Sequence, residues 1–540
     1  MMKMFKHSKA IINGIIFGIC QLLSLCPSYL ILLLVDTAIP NKDISLIIVC
    51  SCCLVATPLI VSLLSVLNSY LAITYSKKRG NEISLEIFKR ITAQDISYFD
   101  DKNSIELESF SSKNCSNYIF FYIYDKPQII SYIVTLIIVF GISIYYSWIV
   151  AICLLAYVPL TFLPSKRFIK HSEKDISEIL NCNATLSQKR SDAYKSIEYL
   201  QGNNLLDKKS AEIEDLNDKT LRHWGKIAII DEICSFWNSG FLASLFSGIV
   251  LIVLVITFLY PVELQHITLG SLISIWSYAC LYFSKLNYVV SLKYQEKKQN
   301  IENQKLLLFL ALPINNEGES KVMLPADIVF DCVSFAYNDD KIILDNISFI
   351  IKKSLWTNII GHSGSGKSTI LSLLLGFRKP SCGQIKIGDE VLDNSNIKYF
   401  REHICYVSQN PFLYTGTIRY NFSLFTSNED LIYEALSIFE LKPFVDSLPN
   451  GLDTEIGEMA KLMSGGEKQR LVLAMQYTRG NNIWILDEPL VHVDEANKTL
   501  ILSKLKALAK GGHTIVLVTH DTNDNVYADE MVDIDKIIKK

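Results

Sequence analysis

Hydrophobic and polar residues are distributed differently in the two halves of the chain. Up to about residue 310 the apolar residues fall in long runs, whereas beyond residue 325 they form short blocks broken by glycine and charged residues. A transmembrane helix needs roughly 20 mostly apolar residues to cross the hydrocarbon core of a bilayer. The segments predicted to span a membrane on this basis are 11–35, 44–71, 128–146, 148–164, 236–260 and 269–290.

The positions of lysine and arginine predict the orientation of these spans. The three short connections between spans carry one basic residue, Lys42, whereas the long segments 72–127 and 165–235 are rich in basic residues. Because basic loops stay on the cytosolic side, the long segments and both termini are predicted to be cytosolic. The chain is therefore expected to be a multi-pass integral membrane protein.

The second half of the chain has the pattern of a separate domain. Residues 291–310 continue the last predicted span as a charged helix, and proline, glycine and charge at 313–325 end that helix. We therefore predict a transmembrane domain at 1–312, a linker at 313–325 and a soluble domain at 326–540.

Composition narrows the function classes that remain. The 540 residues are 50% hydrophobic and 20% charged with a formal net charge of −3, a balance too apolar for an ordinary soluble enzyme. The same balance excludes a strongly basic nucleic-acid binder, so nucleic acid is not expected as a partner. None of the 13 cysteines lies in a predicted external loop, and an extracellular disulfide framework is therefore not expected.

A phosphate-binding loop is predicted early in the soluble domain. The strand-like run 357–360 leads into GHSGSGKST, which an apolar helical run follows. Glycines let backbone N–H groups approach phosphate oxygens, and the N-terminus of the helix adds a favourable dipole. Lys367 would contact the β- and γ-phosphates, and the Ser368 hydroxyl would ligate Mg²⁺. The residues predicted to bind nucleotide are Gly361, His362, Ser363, Gly364, Ser365, Gly366, Lys367, Ser368 and Thr369.

Two adjacent carboxylates end a later apolar strand, IWILDE at 483–488. Asp487 is suited to hold Mg²⁺, and Glu488 is suited to orient or deprotonate an attacking water. Taken alone, a strand that ends in Asp-Glu is more often solvated than functional. Together with the phosphate loop, the pair predicts a site that hydrolyses a nucleotide.

The segment between these two elements indicates a family. MSGGEKQRLVLA at 463–474 closely resembles the signature motif of ATP-binding cassette (ABC) proteins. Six predicted spans ahead of one such cassette resemble a type I ABC exporter half-transporter. The resemblance implies an all-α six-helix transmembrane domain followed by an α/β P-loop (RecA-like) ABC ATPase domain with an α-helical subdomain.

The resemblance also implies roles for individual residues, with ATP and Mg²⁺ as cofactors. Tyr337 would stack on adenine, Gln409 would link the site to the membrane domain, and His520 would contact the γ-phosphate. Asp494 matches the acidic residue of the D-loop. The implied catalytic residues are Lys367, Gln409, Glu488 and His520, the implied metal ligands are Ser368, Gln409 and Asp487, and the signature residues that would meet nucleotide are Ser464, Gly465, Gly466 and Glu467.

A dimer follows from the same resemblance, since ATP in this family lies between the phosphate loop of one cassette and the signature of the other. Because Ser464, Glu488 and His520 are all present, a homodimer with two equivalent sites is the simplest arrangement. A heterodimer with a second half-transporter stays open. Residues 98–109 and 194–204 lie where the family has its coupling helices, which would dock on a cassette.

Some residues depart from the usual pattern of the family. Met463 and Glu467 stand where leucine and glutamine are commonest, and KKSLWT ahead of the phosphate loop lacks a common glycine. The first coupling segment lacks the common arginine and aspartate pattern. The D-loop reads VHVD, so His492 either has drifted at an accessible turn or has a pH-sensitive or communication role.

The expected function is ATP-driven export. Polar side chains within the spans would line the pathway or form interhelical hydrogen bonds. These candidates are Gln21, Asn68, Asn238, Tyr278, Tyr282, Lys285 and Asn287. Because no span carries a paired charge, a peptide-like or amphipathic cargo is favoured, such as a bacteriocin-type peptide or a drug. A lipid or lipid-linked flippase and an ATP-gated regulatory membrane protein are the alternatives.

The chain begins directly at the first span, so no peptidase domain is expected ahead of it, and a peptide cargo would be processed elsewhere. Its abundance of isoleucine, lysine and asparagine, with short external loops, indicates a bacterial inner membrane. Membrane lipid is therefore a further expected partner.

Overall fold

The computed structural model describes residues 7–100, 114–260, 267–302, 304–314, 317–337, 342–456, 463–491 and 493–538. The chain divides into two compact units. The first consists of residues up to 94 together with 101–314, and the second of residues 95–100 together with 315–540. The predicted boundaries at 1–312, 313–325 and 326–540 stay predictions. His492 and residues 101–109 of the first predicted coupling segment lie outside the described residues.

The first unit is helical. Its helices are α1 (His7–Leu33), α2 (Ile44–Thr92), α4 (Asn114–Phe120), α5 (Lys126–Tyr146), α6 (Trp148–Lys195), α7 (Ile197–Gly202), α8 (Leu206–Ser235), α9 (Ala243–Leu259), α10 (Leu269–Glu302) and α11 (Gln304–Ala311), while α3 (Ser97–Asp100) belongs to the second unit. Three π-helical segments continue these helices, at Leu34–Ala38, Phe121–Asp125 and Phe236–Leu242.

Five of these helical stretches are long and apolar enough to cross a membrane: Ser8–Ala38, Ile44–Thr92, Cys115–Tyr146, Trp148–Lys195 and Leu206–Leu259. Four of the six predicted spans lie wholly within them, and a fifth, 236–260, ends one residue beyond Leu259. The sixth, 269–290, forms the first part of α10, but α10 is not among the helices that meet this criterion in the described chain. Its serines, Lys285 and Asn287 make it more polar than the other five.

Two helices of the first unit, α2 and α6, are much longer than a bilayer is thick. α2 has 49 residues and is about 74 Å long at 1.5 Å per residue, against a hydrocarbon core of roughly 30 Å. α6 has 48 residues. Both helices are therefore much longer than one crossing of the hydrocarbon core requires.

α6, the π segment Phe236–Leu242 and α10 meet around Tyr157, which is fully buried. The Tyr157 hydroxyl donates to the carbonyl O of Asn238 at 3.0 Å and to Oδ1 of Asn287 at 3.1 Å. Nδ2 of Asn287 also donates to the Asn238 carbonyl, at 3.2 Å. A π turn disturbs the regular helical hydrogen bonds, and here side chains of two neighbouring helices bond to one of its carbonyls.

The second unit is built on a five-stranded sheet of order β11-β3-β10-β9-β6, whose strands are β3 (Trp356–Ile360), β6 (Ile404–Val407), β9 (Ile483–Asp487), β10 (Thr514–Val518) and β11 (Glu530–Asp533). All its pairings are parallel. β9 and β10 are buried along their whole length, which explains their nearly continuous apolar sequences.

An antiparallel sheet of order β2-β1-β4-β5 completes the strand framework, with β1 (Ile328–Ala336), β2 (Ile342–Ile351), β4 (Cys382–Ile387) and β5 (Glu390–Val391), and β7 (Gly416–Thr417) pairs with β8 (Glu455–Ile456). The remaining helices are α12 (Lys367–Leu374), α13 (Ile397–Glu402), α14 (Ile418–Ser423), α15 (Glu429–Ile438), α16 (Lys442–Ser447), α17 (Gly465–Tyr477), α18 (Glu495–Lys510) and α19 (Ile534–Ile538).

Helices α14 to α17 lie between β6 and β9 in the chain and pack on an apolar cluster that includes Phe422, Phe439 and Leu471 and continues into the sheet at Trp484. A helical membrane domain followed by a sheet-and-helix domain is therefore confirmed as the fold. The parallel register places Val518 opposite both Ile359 and Asp487. The carboxyl ends of β3, β10 and β9 consequently meet at one edge of the sheet, where α/β proteins bind ligands.

Candidate functional site

The predicted phosphate loop joins β3 to α12 at this edge. Gly364 and Gly366 have φ values of +83° and +94°, in the left-handed region that glycine adopts without strain. A Cβ at Gly366 would also lie 2.8 Å from Cδ2 of Leu344. Both the left-handed φ and the close approach of Leu344 therefore favour glycine at 366. The loop ends at the N-terminus of α12, and the N-terminus of a helix attracts anions.

Lys367 is the first residue of α12, and only 7% of it is exposed. Its Nζ donates to the carbonyl oxygens of Gly361 at 2.8 Å and of His362 at 3.0 Å. Both acceptors are uncharged groups of the loop itself. The ammonium is thus held across the loop, in a position where phosphate oxygens would be stronger acceptors than the carbonyls.

Asp487 ends β9 and is 7% exposed. Burial, and to a smaller extent the neighbouring carboxylate of Glu488, raise the pKa of Asp487 to about 6, while a hydrogen bond with Ser368 lowers it. Among the described residues, Oδ1 of Asp487 has no hydrogen-bond partner. A buried and unpaired carboxylate oxygen beside a serine hydroxyl fits a hard divalent cation such as Mg²⁺.

Glu488 brings three of the predicted catalytic residues together. Its Oε2 accepts a hydrogen bond from Nε2 of Gln409 at 3.0 Å, and its Oε1 lies 3.1 Å from Nδ1 of His520. Its backbone N–H donates to the carbonyl of Val518 at 3.0 Å, and its φ is +46°. The left-handed turn directly after β9 directs the Glu488 side chain away from the course of the strand.

The predicted adenine-stacking residue, Tyr337, follows β1 and is 48% exposed. Its hydroxyl lies 3.2 Å from Oγ1 of Thr369, which connects it to the helix after the phosphate loop. The guanidinium of Arg378 lies over the Tyr337 ring, 4.5 Å from its centroid. Arg378 also donates to both carboxylate oxygens of Asp100 in α3, at 3.0 and 2.7 Å.

The signature segment forms the N-terminus of α17. Ser464 is the N-cap: its Oγ accepts from the backbone N–H of Glu467 at 3.2 Å, and Oε2 of Glu467 accepts from the N–H of Ser464 at 2.7 Å. This reciprocal capping box explains why glutamate fits at 467. Between described residues, no hydrogen bond joins the signature segment to the phosphate loop of the same chain.

Three charged contacts around the site escaped the sequence analysis, because their partners are distant in the chain and belong to no motif. One is the Arg378 contact. In the second, Asp535 of α19 accepts from the backbone N–H of His362 at 2.8 Å and also contacts its ring. In the third, the buried Lys498 of α18 pairs with Asp521, the residue after His520, and with Asp524 at 2.9 Å.

Two family models match the chain. The model of the ABC transporter transmembrane region matches residues 10–286, more than half of the chain, and the ABC transporter model matches residues 344–491. The predicted family resemblance is therefore confirmed in both halves.

Relatives and a solved structure agree with these matches. The lactococcin-A transport/processing ATP-binding protein LcnC of Lactococcus lactis subsp. lactis is 25% identical over 533 residues, covering 95% of this chain and 72% of LcnC. A multidrug resistance ABC transporter ATP-binding and permease protein of Lactococcus lactis subsp. cremoris is 37% identical over 209 residues, 38% of this chain and 35% of that protein. A bacterial Atm1-family ABC exporter with ATP bound has the same fold, with a TM-score of 0.84 at 19% identity, covering 97% of this chain and 92% of that one.

The raised pKa of Asp487 predicts a pH-dependent effect of Asp487→Asn on the stability of the protein without nucleotide or metal. Because the folded state holds this proton more tightly than the unfolded state, the charged carboxylate destabilises the fold above pH 6. We expect Asp487→Asn to raise the melting temperature at pH 7.5, by the equivalent of roughly 1–3 kcal/mol. The gain should shrink toward pH 4.

The measurement is thermal unfolding in EDTA between pH 4 and 8, with Asp389→Asn as the control. Asp389 is an exposed carboxylate between β4 and β5. A gain for Asp487→Asn that stays constant across this range would show that burial of the charge is not its cause.

Proposed function

The chain belongs to the ABC transporter family, and from that membership we propose that it is a dimeric exporter that couples ATP hydrolysis to the movement of a peptide-like or amphipathic cargo. The observation that carries the proposal is the Glu488 carboxylate, which contacts both Gln409 and His520 next to the buried Asp487. Simple nucleotide binding does not require a carboxylate aligned in this way. Hydrolysis does, since a water must be oriented for attack.

Glu488 is the proposed general base, because its two oxygens are held at defined positions and can receive the proton of the attacking water. His520 would orient this carboxylate and reach the γ-phosphate, and Lys367 would exchange its loop carbonyls for phosphate oxygens. Tyr337 would stack on adenine. The backbone of the phosphate loop, from Gly361 to Thr369, would enclose the β- and γ-phosphates.

Ser368, Asp487 and Gln409 are the proposed ligands of Mg²⁺. The Asp487 oxygen that lacks a partner among the described residues, the adjacent Ser368 hydroxyl and the Gln409 amide oxygen form an all-oxygen set. When bound, the ion neutralises phosphate charge and polarises the phosphoryl group. It would also offset the repulsion between the neighbouring carboxylates of Asp487 and Glu488.

A dimer is proposed because the signature residues Ser464, Gly465, Gly466 and Glu467 have no contact with the phosphate loop of their own chain among the described hydrogen bonds. The signature segment of each subunit would complete the ATP site of the other subunit. Since Ser464, Glu488 and His520 are all present, a homodimer is the simplest assembly, with a heterodimer as the alternative. Closure of the cassettes on ATP would favour one state of the membrane domain over another.

The cargo and the location are proposed from the relatives and from the charge pattern. The names of the two lactococcal relatives refer to lactococcin A and to multidrug resistance, which supports a peptide-like or amphipathic cargo. The basic segments 72–127 and 165–235 support cytosolic termini in a bacterial inner membrane, with lipid as a partner.

α7 lies within the second predicted coupling segment, 194–204, and would transmit closure of the cassettes to the spans.

Glu488→Gln tests the proposed mechanism. The amide keeps the shape of the side chain and can still contact His520, but it cannot accept the proton of water, so we expect at least a hundredfold loss of ATPase activity with ATP binding retained. The assay is phosphate release by the purified protein in lipid vesicles, combined with the ATP-dependent appearance of a closed dimer in cross-linking experiments.

Glu434→Gln is the matched control, because Glu434 is a carboxylate of the helical subdomain whose contact is to Tyr477. If the wild-type protein binds ATP without turnover, the homodimer is wrong, and a partner subunit or a gating role must be considered. Stimulation of the ATPase by lipid alone would favour a flippase over the proposed exporter.

Glu467→Gln tests the proposed signature contact. Glutamine can keep the capping box with Ser464, but it removes a negative charge from the helix end that would meet the partner's nucleotide. We expect the apparent KM for ATP to fall about two- to fivefold, equivalent to the 0.3–1 kcal/mol typical of a charge at a helix terminus. An unchanged KM in low salt would contradict contact between this residue and ATP.

A further inference from the structure

A cavity of about 810 Å³ lies between α6, α8, the π segment Phe236–Leu242, α9 and α10. Eight of its twenty lining residues are serines, and two asparagines, Asn238 and Asn287, also line it. Most of the cavity surface is apolar, and these side chains place polar groups at particular points on it. The structure therefore contains a concave, mostly apolar region in which polar groups are set, the usual composition of a ligand site.

Three of the eight serines of this cavity donate their hydroxyl proton to a backbone carbonyl of their own helix. Ser239 Oγ donates its proton to the carbonyl of Ser235 at 2.7 Å, and Ser284 Oγ donates to the carbonyl of Leu281 at 2.9 Å. Ser165 donates likewise to Thr161, at 2.7 Å. A hydroxyl has one proton and two lone pairs, so a serine that donates to its own helix is left with acceptor capacity.

Asn238 strengthens this acceptor character and fixes its geometry. It is 7% exposed, its Nδ2 donates to Ser165 Oγ at 2.9 Å, and its backbone carbonyl accepts from Tyr157 and Asn287. Its side-chain Oδ1 is buried and has no hydrogen-bond partner among the described residues. A buried amide oxygen without a donor costs free energy, and a ligand that supplies a donor after a small side-chain rotation would recover it.

The charge of the cavity points to the same kind of ligand. Asp231 is its one acidic residue, and its described lining contains no lysine, arginine or histidine. An anionic ligand would meet a carboxylate and no compensating cation. Asp231 already has a hydrogen bond with Tyr294, and a carboxylate accepts several. A ligand with ammonium or amide N–H groups could therefore donate to Asp231 as well as to these serine lone pairs and to Oδ1 of Asn238.

We propose that this cavity is the cargo site and that it selects cargo that donates hydrogen bonds and is uncharged or cationic, such as an amine-bearing peptide, over anionic cargo. This inference rests on the proposed export function, which it makes specific by naming the charge class of the cargo. The π segment supports it, since an irregular turn places Asn238 at the junction of α6 and α10.

Binding of two peptides to the full-length protein in detergent, without ATP, tests the inference directly. Both are tritiated, N-acetylated and C-amidated decapeptides of glycine and serine, one with two lysines and the other with two glutamates. We expect the lysine peptide to bind at least tenfold more tightly. Because no hydrolysis is needed, this result does not depend on whether the proposed ATPase mechanism is correct.

Asp231→Asn and Glu232→Gln form the matched pair of variants. Asp231 lines the cavity, whereas its neighbour Glu232 is exposed and does not. Asp231→Asn should weaken binding of the lysine peptide about tenfold, as expected for a lost charge-assisted hydrogen bond, and leave the glutamate peptide unchanged or slightly better bound. Glu232→Gln should bind both peptides like the wild type. The Asn238→Leu variant should bind neither.

ATP-dependent uptake into vesicles with outward-facing cassettes extends the test to transport, and the same preference for the lysine peptide is expected. Equal or tighter binding of the glutamate peptide overturns the inference, as does an Asp231→Asn variant indistinguishable from Glu232→Gln. Binding of neither peptide also overturns it. If the lysine peptide binds as expected but no ATP is hydrolysed, the proposed homodimeric exporter fails while the ligand class of the cavity stands.

Discussion

The parallel register of β3, β10 and β9 is the constraint on which the ATP site depends. Val518 faces Ile359 on one side and Asp487 on the other, so the phosphate loop, Glu488 and His520 all emerge from one edge. A slip of one residue would turn every side chain of a strand to the opposite face. The register is secured because β9 and β10 are buried apolar strands, and the hydrogen bond from Glu488 N–H to the Val518 carbonyl closes their last pair, Val518 with Asp487.

The charged side chains at this edge of the sheet are placed to bind a ligand, and their positions do not stabilise the chain when no ligand is bound. Asp487 and Glu488 are adjacent acids, one of them buried, and Lys367 is turned toward carbonyls of its own loop. Around them, Asp535 and the Lys498 contacts hold the backbone of the phosphate loop and the segment after His520. The fold thus tolerates unfavourable electrostatics at the centre because the surrounding loops are fixed by ion pairs and hydrogen bonds.

The sequence predicted the fold class, the family and five of the six spans, because long apolar runs and contiguous motifs depend on neighbouring residues only. Arg378, Asp535 and Lys498 could not be predicted, since each acts on a motif from a remote part of the chain. Asn238 and Asn287 stood out as polar residues in apolar spans, but the serines beside them did not, because an isolated serine carries little signal in a helix. The π segment at Phe236–Leu242 has no sequence signature that would have revealed it.

The short helix α3 shows that a domain in sequence and a domain in space need not coincide. Residues 95–100 follow the membrane-domain helix α2 in the chain, yet they pack as part of the second unit, where Asp100 pairs with Arg378 over the ring of Tyr337. A cassette produced from residue 315 onward would therefore leave Arg378 without its carboxylate. Kinetic constants of such a fragment would describe a protein whose surface around Tyr337 is altered, and they would not transfer to the intact transporter.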